Sequence, residues 1–317
     1  MSASRSICTR AKGLLAALLI LFVAPAPPAL AADDLSVVVL GSGGPGAVGR
    51  AGSSFLVLVD GTPRILVDAG PGSFARLGET GLPFGAVDTI LLTHLHADHA
   101  GELPGLVKAR AVAVRSNITF RIFGPQGHAA GPDAAYFPAT SRLVDLLFGK
   151  EGAFGYLSDF AGHVDFSVED LPAAPGKGAK PELILSENGI EIRAIPGHHR
   201  DAPAVIYRID YHGRSVTFTG DIDSNGWPDL EAIAKETNLL VFNTVVLDPP
   251  AAPPILYTLH TAPSDIGRIA KETSAGKLLL AHLSPATDGN RPDVEASIRK
   301  SYAGPITFAE DKARIDP

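Results

Sequence analysis

Short apolar runs separated by glycine, proline and tight-turn pairs recur along most of the chain, the pattern of a strand-rich α/β protein. Strands are predicted at Leu35 to Leu40, Ser54 to Asp60, Pro63 to Ala69 and Asp88 to Leu92, with Asp60-Gly61 turning the chain between the second and the third. Beyond Leu92 the apolar positions take up helical spacing, which predicts a helix over Asp98 to Ala111 despite Pro104. The stretch from about Ala129 to Lys180 is less regular, closes on a Pro and Gly cluster at 172–178, and reads as an insertion on the domain. Strands resume at Glu182 to Leu185, Ile190 to Ile195, Ala204 to Asp210, Ser215 to Thr219 and Leu239 to Phe242, with His212-Gly213 turning the chain between two of them. Helices at Pro263 to Ser274 and Pro292 to Tyr302, each opened by a proline near its first turn, flank a strand at Lys277 to Ala281.

The N-terminal segment breaks this pattern. Arg5, Arg10 and Lys12 precede the apolar run Leu14 to Ala24, and Ala29-Leu30-Ala31 supplies small residues ahead of Asp33. The segment predicts a signal peptide over residues 1–31, export to the periplasm or beyond, and one mature domain over 32–317. The apolar run is shorter than the ~20 residues of a bilayer span, so no membrane association is expected once it is removed. Removal takes away three bases and no acid, which moves the formal charge from −7 to −10. Such a surface repels polyanions on average, so a small-molecule substrate is expected and nucleic acid is not. The one cysteine, Cys8, falls in the leader, and any metal in the mature chain must be held by nitrogen and oxygen.

Gly41-Ser42-Gly43-Gly44-Pro45-Gly46 fits the glycine spacing of a dinucleotide-binding turn, and Asp60 stands where a ribose-binding acid would. That chemistry needs a helix to begin at the glycines, whereas a strand follows here, so the segment reads as a tight turn lying close to other backbone. The stronger signal is Thr93-His94-Leu95-His96-Ala97-Asp98-His99, directly after the apolar strand end Leu91-Leu92. Alternate positions His94 and His96 point one way from an extended turn, and Asp98 and His99 open a helix beside them. Imidazoles and a carboxylate packed this closely each need a partner on desolvation, and a divalent cation satisfies all of them. Further candidates stand after other predicted strands: His198-His199, Asp221 and His282.

The order and spacing of these positions resemble the metallo-β-lactamase fold superfamily, whose H-x-H-x-D-H signature is met by His94, His96, Asp98 and His99. The likeness runs from about residue 35 to 310 and implies a four-layer αβ/βα sandwich, two mixed sheets packed between helices. It implies one metal on His94, His96 and a histidine of the 198–199 pair, a second on Asp98, His99 and His282, and Asp221 bridging them. His199 is the favoured member of the pair, because Pro203 and Tyr207-Arg208-Ile209 follow it at the family's spacing. Asp68 resembles the family's acid that orients the ligand turn. Gly41 to Pro45, Asp68-Ala69-Gly70-Pro71-Gly72 and His260-Thr261-Ala262 look like the tRNase Z and arylsulfatase-like branch, in which His260 would bind the scissile group or donate a proton. One position departs: where nuclease members carry an acid partnered with that histidine, this chain has Asn243, which cannot hold a proton for a leaving group.

The resulting expectation is an exported hydrolase with two divalent ions, zinc by preference, and a metal-bridging hydroxide that attacks a small ester-like substrate such as a sulfate ester, lactone or phosphodiester. Asp98 and His260 are the candidate catalytic side chains. The alternatives are a phosphodiesterase or nuclease acting on nucleic acid, and a metal-dependent protein that binds a ligand without catalysis. Phe137, Phe148, Phe154 and Tyr156 of the insertion are candidates to cover the cleft.

Overall fold

Val37 and Val39 on one side of the first strand and Val38 and Leu40 on the other are all buried, but in different cores. The same division recurs at Leu239 and Val241 against Leu240 and Phe242, and at Leu279 and Ala281 against Leu278 and Leu280. A strand apolar on both faces must be covered on both, so each sheet is sandwiched.

The computed structural model describes residues 34–46, 48–131, 135–160, 162–174 and 178–317, and the predicted leader lies outside them. The first sheet has seven strands. They are β1 (Leu35–Gly41), β2 (Ser54–Val59), β3 (Thr62–Val67), β4 (Thr89–Leu91), β5 (Ile118–Pro125) and β6 (Val164–Leu171), with the C-terminal β14 (Arg314–Ile315) beside β1. β1 to β3 are antiparallel, and β3 to β6 run parallel. The second sheet holds β7 (Glu182–Glu187), β8 (Ile190–Pro196), β9 (Val205–Tyr211), β10 (Arg214–Phe218), β11 (Leu239–Asn243), β12 (Lys277–Ala281) and β13 (Ile306–Phe308). It repeats the design, antiparallel from β7 to β10 and parallel from β10 to β13.

Phe55, Val57, Tyr207, Ile209 and Phe218 fill the space between the sheets. α1 (Ser73–Thr80), α3 (Leu103–Ala113) and α4 (Thr140–Phe148) cover the outer face of the first sheet. α5 (Trp227–Ile233), α6 (Pro263–Glu272) and α8 (Arg291–Arg299) cover the second, and α2 (Ala97–Ala100) and α7 (Pro285–Gly289) are single turns near the sheet ends. This is the expected four-layer sandwich. Tyr207 Oη donates to Leu92 O at 3.0 Å and Val205 N to Thr93 O at 2.8 Å, which ties the second sheet to the end of β4.

Two local expectations change. The helix predicted over Asp98 to Ala111 is two helices, α2 and α3, broken at Gly101-Glu102, because Pro104 lacks an N–H and sits in the first turn of α3. The stretch read as an irregular insertion contains α4 and β6. In β6, Val164, Phe166 and Val168 alternate with Asp165, Ser167 and Glu169, and the strand pairs in parallel with β5 to complete the first sheet.

Candidate metal centre

Parallel strands end together, so side chains just past their carboxyl ends converge on one rim. Asp68 follows β3, His94 to His99 follow β4, His198-His199 follow β8, Asp221 follows β10, Asn243 closes β11 and His282 follows β12. His260 reaches the same rim from the turn before α6. Asp68 and His282 have φ of 57° and 53°. Left-handed backbone costs a side-chain residue about 1–3 kcal/mol and persists where its surroundings over-determine it.

The structure brings His94, His96, Asp98, His99, His199, Asp221, His260 and His282 into one cluster. The ligand atoms of His94, His96 and His199 lie within 4.8 Å of one another, as do those of Asp98, His99 and His282. Asp221 stands between the two sets. Its Oδ2 is 3.6 Å from His199 Nε2, 3.8 Å from His99 Nε2, 3.8 Å from His260 Nδ1 and 4.0 Å from His94 Nε2. Its Oδ1 accepts a hydrogen bond from Asn243 Nδ2 at 2.7 Å and lies 3.6 Å from His282 Nδ1. Asn243 therefore serves Asp221 rather than His260. His198 is turned out of the cluster onto Asp223, at 2.7 Å.

His94 Nε2, His99 Nε2, His260 Nδ1 and His282 Nδ1 are buried and have no hydrogen-bond partner. Each such atom costs about 1–3 kcal/mol, and four around one carboxylate are not tolerated in an ordinary core. The donor set fits divalent cations, which would give His94, His99 and His282 the partners they lack. Solvent reaches the cluster on the side of His96 and Asp98, the latter's side chain being 20% exposed. Of the aromatic candidates in the insertion, Phe137 meets the centre, its ring 5.8 Å from that of His96, whereas Phe148 is buried in the outer core.

The charges follow from burial and neighbours. Burial disfavours ionised Asp221, but His282, His260, His99 and His199 outweigh it and hold its carboxyl well below the usual range. Burial, with His99 nearby, pushes His94 well below an ordinary histidine and keeps a lone pair free. Burial opposes charge on His99 as well, yet Asp68, Asp221 and Asp98 raise it to about 9. Burial opposes ionised Asp98, but the hydrogen bond from His282 at 3.1 Å together with the charges of His99 and His282 lowers it to about 2. His260 is lowered to about 4, chiefly by burial, because His282, His199 and His99 offset the attraction of Asp221.

Surrounding groups set which ring nitrogen faces inward. Asp68 accepts from Thr93 N and Thr93 Oγ1, both at 2.8 Å, and from His99 Nδ1 at 2.7 Å, which leaves His99 Nε2 for a metal. His199 Nδ1 donates to Leu259 O at 2.8 Å, which aims its Nε2 at Asp221. Thr261 Oγ1 donates to Ile222 O at 2.9 Å, locking the His260 turn to the Asp221 loop. The glycine turn of residues 41–46 packs against this rim: a Cβ on Gly44 would stand 2.9 Å from His282 O and 3.1 Å from its Nδ1. Asp223 and Leu259 O escape sequence reading, since nothing near them in the chain marks their partners.

A buried histidine and aspartate cluster at the ends of two seven-stranded mixed sheets, built on H-x-H-x-D-H, decides the family. The chain belongs to the metallo-β-lactamase superfamily. It matches that family over residues 47–230, and it is a metal-dependent hydrolase. The ribonuclease Z of Mycobacterium avium (strain 104) is 29% identical over 293 residues, covering 89% of this chain and 98% of the relative. Among solved structures, the short form of human tRNase Z is similar with a TM-score of 0.65 and 19% identity, over 88% of this chain and 98% of that one. The metallo-β-lactamase fold protein YhfI of Bacillus subtilis is similar with a TM-score of 0.64 and 21% identity, over 90% and 100%.

These relatives overturn two expectations, that the substrate is a small ester-like molecule and that nucleic acid is not the expected partner, and favour the alternative of a nuclease. The physical reason is that net charge averages over the whole surface, whereas a substrate meets only the rim of the cluster. Asn243 does not stand in for an acid partner of His260, because its amide faces Asp221.

Proposed function

We propose that the chain hydrolyses phosphodiester bonds of RNA at a two-ion, zinc-type centre. The observation that carries the reading is the position of Asp221, whose Oδ2 is shared between two sets of ligand atoms, in a chain whose ribonuclease Z relatives align over 89% of its length. His94, His96 and His199 would hold one ion and Asp98, His99 and His282 the other, with Asp221 common to both. A ligand set rich in imidazole and free of thiolate suits zinc. When bound, such ions would supply a water of lowered pKa and polarise a phosphoryl oxygen.

The chain's own groups do the rest. Asp98, ionised and part exposed, accepts a hydrogen bond from the attacking water and orients it. His260, buried beside Asp221, offers an N–H to the oxygen that departs. Asp68 and Leu259 O keep the His99 and His199 rings from turning.

Metal-loaded protein incubated with a 3′-extended precursor tRNA and with a single-stranded oligoribonucleotide is expected to cleave at least one internally, and a chelator should stop it. Full metal occupancy without cleavage of either RNA would overturn the reading. Export belongs to the same proposal, supported by the leader-like residues 1–31. N-terminal sequencing of protein purified from its host should begin near Ala32, and a start at Met1 would remove it.

A further inference from the structure

A cavity of about 250 Å³ opens along the loop that carries His199, walled by Gln126, His128, His198, Arg200, Asp201 and Pro203. That is below the ~300–1,000 Å³ of a site that takes a whole ligand, so the cavity suits one unit of a longer substrate. It lies near the metal centre: its wall residue His128 pairs with Phe137, whose ring is 5.8 Å from that of His96, and its wall residue Asp201 is close enough to His96 to feel its charge.

His198 is the fixed point of this wall. Its Nδ1 meets both oxygens of Asp223, at 2.7 and 2.8 Å, and that carboxylate is itself held by Arg200 N at 2.9 Å and Asn225 N at 2.8 Å. The Asp223 side chain is 4% exposed and the His198 side chain 23%, so the Nδ1 edge is anchored inside and the remaining edge faces outward. Nε2 has no partner among the described residues. A ring locked on one nitrogen with the other open is a preorganised hydrogen-bonding group, with little entropy left to lose on binding.

The chemistry of the cavity selects what that group meets. Arg200 and Asp201 line it with opposite charges, so the cavity has no net pull on a second phosphate. With Nδ1 committed to Asp223, the open Nε2 edge is left for a ligand, and a hydroxyl, which both donates and accepts, can pair with it. A ribose 2′-hydroxyl both donates and accepts, and it is the group that separates RNA from DNA.

We propose that this cavity is a ribose subsite in which His198 Nε2 hydrogen-bonds the 2′-hydroxyl of a nucleotide flanking the scissile phosphate and so selects RNA over DNA. The inference rests on the RNA reading above. The competing account makes the His198–Asp223 pair only a clasp that holds the His199 loop. A clasp would act through the metal and affect ribose and deoxyribose substrates alike.

The test uses an oligoribonucleotide whose cleavage site has been mapped, and the same strand with a single 2′-deoxy substitution at each flanking position in turn. In the unaltered protein one of these substitutions is expected to lower kcat/KM about 10-fold, the scale of one hydrogen bond. In His198→Ala the ratio between the all-ribose and that 2′-deoxy strand is expected to fall to about 1, with bound metal measured in parallel. The scan on the unaltered protein needs no variant: if no single 2′-deoxy position matters, the subsite is refuted. A ratio still near 10 in His198→Ala refutes it too, as does loss of metal with the ratio kept. Failure of the unaltered protein to cut any RNA strikes the RNA reading first and the subsite with it, and is thereby distinct from the other outcomes.

Discussion

The Asp221→Ala protein is expected to lose hydrolysis by about 10³-fold or more, and to bind its metal more weakly by a larger factor than any surrounding variant. Asp221 is the acid whose two oxygens face His94, His99, His199, His260 and His282 together, at 3.6 to 4.0 Å. Without it, buried imidazoles face one another with the neutralising charge gone, and Asn243 loses the acceptor of its 2.7 Å hydrogen bond. Asp68→Asn is the contrast. Asp68 takes hydrogen bonds from Thr93 and His99 but offers no ligand atom to the cluster, so its amide should cost the roughly 10–100-fold typical of a group that orients a ligand. Metal affinity by competition with a chromophoric chelator, alongside initial rates, separates the two. Equal losses in both variants would mean that Asp221 is no more central than Asp68.

The cluster was legible where ligands are local in the chain. His94, His96, Asp98 and His99 fall in one turn, and their spacing alone points to a metal. His282 and Asp221 were legible more indirectly, as polar residues immediately past apolar strands buried on both faces, β12 and β10. Pairings across strand ends were not legible. Asn243 reads from sequence as a missing partner of His260, yet β10 and β11 lie side by side and in parallel, which puts it beside Asp221. His198 and Asp223 are 25 residues apart, and only the approach of the β8 and β10 loops joins them. Helix α4 and strand β6 were hidden by flanking glycine and proline, although Val144 and Phe148 recur at helical spacing and β6 alternates at period 2. The partner was misjudged for a different reason: a mean charge carries no information about the field at one rim.

Stripping the metal is expected to lower the melting temperature as well as to stop turnover. A cation that binds the folded chain and not the unfolded one adds about 2.7 kcal/mol at 100-fold over its Kd, which for a domain of this size is a shift on the order of 5 °C or more. The shift should depend on pH in a direction set by His99. Its pKa in the metal-free fold is raised from 6.5 to about 9. A raised pKa means that the charged imidazole stabilises the metal-free fold fully below about pH 6.5, and that this contribution is lost as pH climbs through about 9. Metal needs the same nitrogen, Nε2, without its proton, so binding must displace that proton below about pH 9 and becomes easier as pH rises. Both effects act in one direction: the gap in melting temperature between loaded and stripped protein should widen between pH 6.5 and 9. Calorimetric scans at fixed free zinc, matched against a chelated sample at each pH, read that gap. A gap that stays constant across the window would show that His99 surrenders no proton on binding.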